Sequence, residues 1–249
     1  MEHLRKEVKR IADLLEESSH AVVFTGEGIS VDRGLPDFHS LSDRLPTMVA
    51  PDDFSIRRFD ADPQSIYEAG APYFDILERI EPNEVHTILA VLEKRNLVKA
   101  VVTQNIDGLH RKAGSKNVLE IHGTLRTVSC VHCDLQLETE EVLAAEGEKP
   151  LLSFCPDCGE PLKPDVVLSG EPPPADFHKA LEEIKLADLV MIIGSDMKSS
   201  PADQLPVADK DLVIINKTPT DYDHKAKIIT NENPIQVMIM LLAELDQRG

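Results

Sequence analysis

Basic residues are scarce in this chain: 26 Lys and Arg stand against 44 Asp and Glu, a formal net charge of −18 with a pI near 4.8. A surface of that sign repels phosphate backbones and argues against nucleic acid as a direct partner. It attracts basic protein segments, and a merely solubilising or salt-adapted surface is the competing reading. No apolar run approaches the roughly 18 residues of a membrane-spanning helix, so no membrane partner is expected. The first stretch, MEHLRKEVKRIADLLEESSH, has no apolar core followed by a small-residue cleavage site, which points to an intracellular, cytoplasmic protein. Low-complexity segments and fixed-period repeats are also missing, which excludes repeat arrays and leaves one ordinary globular unit.

The 249 residues, 42% hydrophobic and 28% charged, suffice for one large α/β domain carrying a smaller insert. Leu4, Val8, Ile11 and Leu15 recur at helical spacing and predict an amphipathic helix. AVVF (21–24) is a short run rich in β-branched residues that leads into TGEGIS, the pattern of a buried strand opening into a glycine turn and a helix. VKAVVT (98–103), DLVMIIG (188–194), DLVIIN (211–216) and KAKIIT (225–230) are further strand candidates. Most are unbroken apolar runs, as strands of a parallel sheet covered on both faces require. Helical patterns lie at 84–95 and 176–186, and Pro234 suits the first turn of a closing helix. Strand and helix alternate, so the fold class is α/β. The alternation breaks at 37–83, rich in Asp and Pro, and at 126–165, which holds every cysteine.

Cys130 and Cys133 form one C-x2-C pair and Cys155 and Cys158 another, 21 residues apart. Each pair can bend as a knuckle so that four thiolates converge on one tetrahedral ion. The spacer slightly exceeds the usual ~15–20 residues, but the strand-like LQLETE (135–140) can occupy it. Four protein ligands leave no position for water or substrate, so a zinc here is structural. An iron–sulfur centre or redox pairing is the alternative, and His132 reads as an exposed bystander.

Gly26 and Gly28 allow a tight turn and close approach to a phosphate at a helix N-terminus. The third glycine of the dinucleotide fingerprint is missing, Val31 standing there, and no acidic residue ends a second strand to take a ribose. A purely structural turn is therefore the rival reading. TQNIDGLH (103–110) directly follows a buried strand, where polar residues face the ligand crevice of a parallel sheet. EIHG (120–123) sets His122 beside a glycine; a lone histidine is more often structural, unless Asn105 and Asp107 flank the same crevice.

In order along the chain, TGEGIS, GLPDF (34–38), TQNIDGLH, RKAGSKNVLEIHG (111–123), the four cysteines, KPDVVLSGE (163–171), GS (194–195) and IIN (214–216) together resemble the sirtuins, the NAD-dependent protein deacylases. The resemblance implies a Rossmann-like parallel sheet with helices on both faces (1–36, 84–125 and 166–249) joined to a small helical and zinc-binding module (37–83 and 126–165). NAD and an acyl-lysine protein or peptide then meet in the cleft between them. By the same resemblance His122 is the general base, acting on a ribose hydroxyl after the acyl oxygen has displaced nicotinamide. Asn105 and Gln104 bind the nicotinamide ribose and order water, and Asp107 with Ile106 holds the nicotinamide amide. Asp37 and Phe38 belong to the loop that closes over the cofactor. Gly26, Gly28 and Ser30 match the turn under the diphosphate, Ser195 the second phosphate-side loop, and Asn216 the adenosine ribose contact. The implied products are free lysine, nicotinamide and O-acyl-ADP-ribose.

Three departures from the family pattern concern the cofactor: Glu27 replaces the alanine between the glycines, His39 the arginine after Pro-Asp-Phe, and Asp196-Met197 the small residues after Ser195. A charge pair at about 4 Å is worth on the order of 4 kcal/mol at an effective dielectric of 20. Two half-relaxed repulsions of that size predict NAD affinity lowered by roughly a thousandfold. On the peptide side, Leu168 and Ser169 replace aromatic residues, and Lys198, Ser199 and Ser200 replace an apolar clamp, which predicts a more open or polar acyl-lysine tunnel. The alternative to a deacylase is a sirtuin scaffold with weak or no NAD binding, acting as a non-catalytic partner subunit.

Overall fold

Short runs of β-branched residues between amphipathic helices dictate a buried parallel sheet, and the computed structural model shows one. It describes residues 2–30, 54–77, 79–133, 135–146 and 154–248. Helix α1 (Glu2–Glu17) leads into strand β1 (Ala21–Thr25); α2 (Ile56–Ala61), α3 (Pro63–Leu77) and α4 (Glu84–Lys94) precede β2 (Ala100–Thr103), and α5 (Leu109–Lys112) precedes β3 (Val118–Glu120). Then come β4 (Gly123–Cys130), β5 (Gln136–Glu138), α6 (Thr139–Glu146), β6 (Leu162–Val166), α7 (Ala175–Leu186), β7 (Leu189–Ile193), β8 (Asp211–Ile215), β9 (Ile228–Thr230) and α8 (Pro234–Asp246).

Six of these strands form one sheet in the order β3-β2-β1-β7-β8-β9, every pairing parallel. This is the doubly wound order, in which ligands bind beyond the C-terminal ends of the strands where the winding reverses, here between β1 and β7. Strand alternation sends Val23, Val101 and Met191 to the face covered by α1, α4 and α8. Val22, Phe24, Val190 and Ile192 go to the opposite face, against Phe177, Ala180 and Ile184 of α7. Both faces are dry, which is why the strands read as continuous apolar runs. Asn233 caps α8 by accepting from Ile235 N at 2.8 Å, and Pro234 occupies its first turn, where no N–H is needed.

The second sheet is antiparallel, in the order β5-β4-β6. Its core is small: Val128, Cys130, Val142, Cys155 and Leu162. Nearby, Phe59 of α2 and Ile66 of α3 pack on Leu168.

Three expectations about local structure change. The helix expected after β1 is a 3-10 turn, Glu27–Ile29, as far as the described residues reach. The strand in LQLETE ends at Glu138, because Thr139 opens α6. The strand expected over 225–230 is confined to Ile228–Thr230, residues 223–225 forming a 3-10 turn instead. Among the described residues no helix is long and apolar enough to cross a membrane.

Candidate active site and metal centre

At the reversal point two loops meet backbone to backbone. Gly26 N donates to Ile193 O at 3.2 Å and Gly28 N to Gly194 O at 2.9 Å. A Cβ on Gly26 would lie 2.6 Å from Gln104 Nε2 and 2.7 Å from both Gly194 O and Ser195 Cβ; one on Gly28 would lie 2.8 Å from Gly194 O. Close approach, rather than an unusual dihedral, requires glycine here: Gly26 has a φ of −130°. The result is a side-chain-free cradle at the C-terminal edge of β1 and β7, suited to a bulky phosphate.

The TQNIDGLH segment runs beside this cradle. Thr103 ends β2, and its Oγ1 accepts from Asn105 N at 3.1 Å. Asn105 is buried; its Nδ2 donates to Gly26 O at 3.2 Å, while its Oδ1 has no partner among the described residues. A buried acceptor without a donor is unfavourable, so this oxygen is available to a hydroxyl or amide donor brought by a ligand. Gln104 Oε1 accepts from Ser195 Oγ and Ser199 Oγ, both at 3.3 Å, which joins this segment to the loop after β7. The side chain of Asp107 accepts from Ser30 Oγ at 3.2 Å and Leu109 N at 2.9 Å. Burial outweighs these bonds and raises its pKa to about 6, with the Glu120 carboxylate adding to the rise. Ile106 packs beside Tyr67, Phe74 and Leu125.

His122 lies between β3 and β4, with Nε2 3.1 Å from Ser200 O. Burial lowers its pKa below the ordinary value, and hydrogen bonding to the backbone of Ser200 and Gln104 partly restores it. The ring is therefore neutral at pH 7, with acceptors waiting for the imidazolium. That is the setting of a base. Asn105, Asp107, Gln104, Ser30, Ser195 and His122 are thus linked by contacts around one crevice. Asn216 sits farther out at the end of β8, its Nδ2 donating to Thr218 O at 2.9 Å. Asp37, Phe38 and His39 lie outside the described residues.

Of the departures, Asp196 bends back on its own loop, Oδ1 accepting from Lys198 N at 3.1 Å, which satisfies part of its charge. Leu168 is buried against Phe59 and Ile66, and Ser169 pairs through its backbone, its N donating to Phe54 O and its O accepting from Ile56 N. The Leu168 side chain thus belongs to an apolar cluster with α2 and α3.

The four cysteine Sγ atoms lie within 4.8 Å of one another. Cys130 and Cys158 approach to 3.4 Å, Cys133 and Cys155 to 3.5 Å, and Cys133 and Cys158 to 3.7 Å. A tetrahedron with Zn–S bonds of about 2.3 Å has S···S edges of about 3.8 Å, and a disulfide about 2 Å, so the cluster fits one zinc ion and no disulfide. The Cys130 amide neighbours agree: His132 N and Cys133 N both point at its Sγ at 3.4 Å, as in a knuckle around a thiolate.

Sequence reasoning missed the layer beneath the cradle: Thr25, Asn83, His86 and His110, all buried polar residues. His110 sits inside the TQNIDGLH segment, so that segment carried one available signal.

The Sir2 family model matches residues 26–201. NAD-dependent protein deacetylase 2 of Caldanaerobacter subterraneus subsp. tengcongensis is 39% identical over 225 residues, 90% of each chain. The NAD-dependent protein deacetylase of Caldivirga maquilingensis is 39% identical over 243 residues, 95% of this chain and 93% of its own. Among solved structures, one from work on sirtuin substrate affinity superposes with a TM-score of 0.87 at 32% identity, covering 95% of this chain and 98% of that one. A Sir2 complex with a p53 peptide and NAD+ superposes with a TM-score of 0.81 at 32% identity and the same coverage.

Proposed function

The chain belongs to the Sir2 family, and on that premise we propose that it is an NAD-dependent protein-lysine deacetylase whose general base is His122. One observation carries the assignment of roles: the unpartnered Oδ1 of buried Asn105 lies on the segment that joins the glycine cradle to His122. NAD fits this site on the structure's own terms, because buried Asn105, bonded to Gly26 O beside the turn at the sheet's reversal point, keeps an acceptor free for a ribose hydroxyl.

Gly26, Gly28, Ser30 and Ser195 would hold the diphosphate, Asn216 the adenosine ribose, Gln104 and Asn105 the nicotinamide ribose, and Ile106 and Asp107 the amide. Asp37 and Phe38 complete the proposed set. When bound, NAD supplies an electrophilic ribose carbon with nicotinamide as leaving group. His122 takes the proton from a ribose hydroxyl, and the Ser200 and Gln104 backbone acceptors stabilise the charge the ring then carries. Asp107, held by Ser30 and Leu109, orients the amide.

The acyl-lysine segment of a protein or peptide is the proposed partner, its acidic host surface favouring basic sequences around the lysine. Zinc is assigned to the four cysteines in a structural role. The division into a Rossmann-like domain (1–36, 84–125, 166–249) and a helical and zinc module (37–83, 126–165) is part of the proposal, supported by the two separate sheets. So is a cytoplasmic location, where thiol ligands stay reduced.

Nicotinamide release from NAD in the presence of an acetyl-lysine peptide tests the reading. His122→Ala should lower it by about 10²–10⁴-fold. Release equal to the parent removes His122 from the role of base, and a parent that neither binds NAD nor releases nicotinamide leaves the partner-subunit reading.

A further inference from the structure

His86 on α4 and His110 on α5 form a buried pair that no step above uses. Their ring centroids lie 4.7 Å apart at an angle of 54°. His110 Nε2 is 2.8 Å from Oγ1 of Thr25, the residue just before the cradle. Thr25 O in turn accepts from Gln104 N at 3.1 Å. On the other side, His86 Nδ1 is 2.8 Å from Asn83 Oδ1, and Asn83 Nδ2 donates to Ile29 O at the far end of the same turn.

Asn83 holds His86 Nδ1 from two sides, through Oδ1 at 2.8 Å, which can only accept, and through its backbone N at 3.3 Å, which can only donate; Oδ1 also accepts from Val85 N and His86 N, and Nδ2 donates to Ile29 O. That leaves His86 Nε2 without a partner among the described residues, and His110 Nδ1 likewise. Burial keeps both rings neutral, pulling His86 to about 4 and His110 well below its ordinary value. An apolar side chain of similar size would avoid two unpaired interior nitrogens. It would not supply the bonds to Thr25 and Asn83.

We propose that His86 and His110 are positioning residues that pin Thr25 and Ile29, the two ends of the Gly26–Gly28 turn, in the geometry NAD requires. The proposal rests on the reading of that turn as the diphosphate cradle. His110 acts through the Thr25 hydroxyl, and His86 acts through Asn83, which is also the N-cap of α4. Within itself the turn is closed by Ile29 N to Gly26 O at 3.2 Å and Ser30 N to Glu27 O at 2.9 Å; the loop after β7 and Asn105 hold its middle through Gly26 and Gly28, and the layer beneath holds its two ends. The same brace reaches the amide site, because His110 follows Asp107 by three residues.

The two histidines use different nitrogens, and this makes the idea testable. Asparagine places a polar atom near the position of Nδ1, and glutamine near that of Nε2. His86→Asn and His110→Gln should therefore keep KM for NAD within about threefold of the parent. His86→Gln and His110→Asn should raise it at least tenfold, with KM for the acetyl-lysine peptide unchanged. Thr25→Val, which removes only the hydroxyl, should raise KM for NAD like His110→Asn, and it decides the matter if the histidine variants do not fold. Equal effects of Asn and Gln at both positions, or an unchanged KM for NAD in Thr25→Val, overturn the proposal. Calorimetric titration of the parent with NAD separates the two layers: a parent that binds NAD while the pattern fails refutes the brace alone, whereas a parent that does not bind refutes the cradle and the brace with it.

Discussion

Lowering the pH from 7 to 5 should destabilise this protein through His86 by an amount the structure lets one work out. The side chain is fully buried and its pKa falls from 6.5 to about 4 because burial disfavours the charged ring. The folded pKa is depressed, so the unfolded chain takes up the proton first. The stability His86 confers is present above 6.5 and is lost as pH falls toward 4. At pH 5 the unfolded ring is almost wholly protonated and the folded one mostly neutral, a difference of about 2 kcal/mol relative to pH 7. Against a total of about 5–15 kcal/mol this is a large share. His110 adds in the same direction, from burial and then from repulsion by His86. Asp107 opposes both: raised to about 6, it is protonated first in the folded state and gains stability over the same window. The parent's pH slope is thus a sum, and the comparison with His86→Asn isolates the histidine. Urea unfolding at the two pH values should show the parent losing about 2 kcal/mol more than the variant, about 0.7 M in midpoint for an m of about 3 kcal/mol/M. Equal losses in the two proteins would refute the reasoning.

Three further outcomes are expected. Glu27→Ala with Asp196→Ser should tighten NAD about ten- to a hundredfold by calorimetry, less than two free repulsions would give because Asp196 already accepts from Lys198 N; unchanged affinity would refute the electrostatic reading. Removal of zinc by a strong chelator should melt the small sheet, seen as lost circular dichroism and a second, lower transition, since among the described residues its buried core is Val128, Val142 and Leu162 besides two of the cysteines; metal-free protein with the parent's melting profile would show that the ion is not structural. In pH–rate profiles, kcat/KM should fall on the acid side with an inflection below 6.5 as His122 takes its proton, while KM for NAD rises below about 6 as Asp107 does; a rate flat from pH 8 to 5 would exclude His122 as base.

The main sheet was legible because its strands are buried on both faces, so AVVFT, LVMII and DLVII announce themselves as apolar runs. The metal centre was legible because thiol pairs at knuckle spacing have few other uses. The crevice was legible only through ordered motifs: nothing in the spacing of Gly26, Asn105 and His122 says that three strand ends bring them together. The layer of Thr25, Asn83, His86 and His110 was hardly legible: Thr25 and His110 stand inside motifs, TGEGIS and TQNIDGLH, but only the packing of α4 on α5 shows that the four side chains meet beneath the turn. The surroundings of Leu168 were illegible for a related reason: they depend on Phe59 and Ile66, a hundred residues away in the chain.

His122 and the metal centre are joined by one continuous strand. Gly123, with a φ of +78°, starts β4 directly after the histidine, and a Cβ there would lie 2.0 Å from Asp165 O, so no other residue lets β4 and β6 close together at this point. Val167 N donates to His122 O at 2.9 Å, fixing the returning strand to the same spot. Cys130 lies at the opposite end of β4. Strand β4 therefore runs from the proposed base at one end to the first pair of zinc thiols at the other, and its pairing with β6 holds it at both ends, at Gly123 and again from Val128 to Cys130.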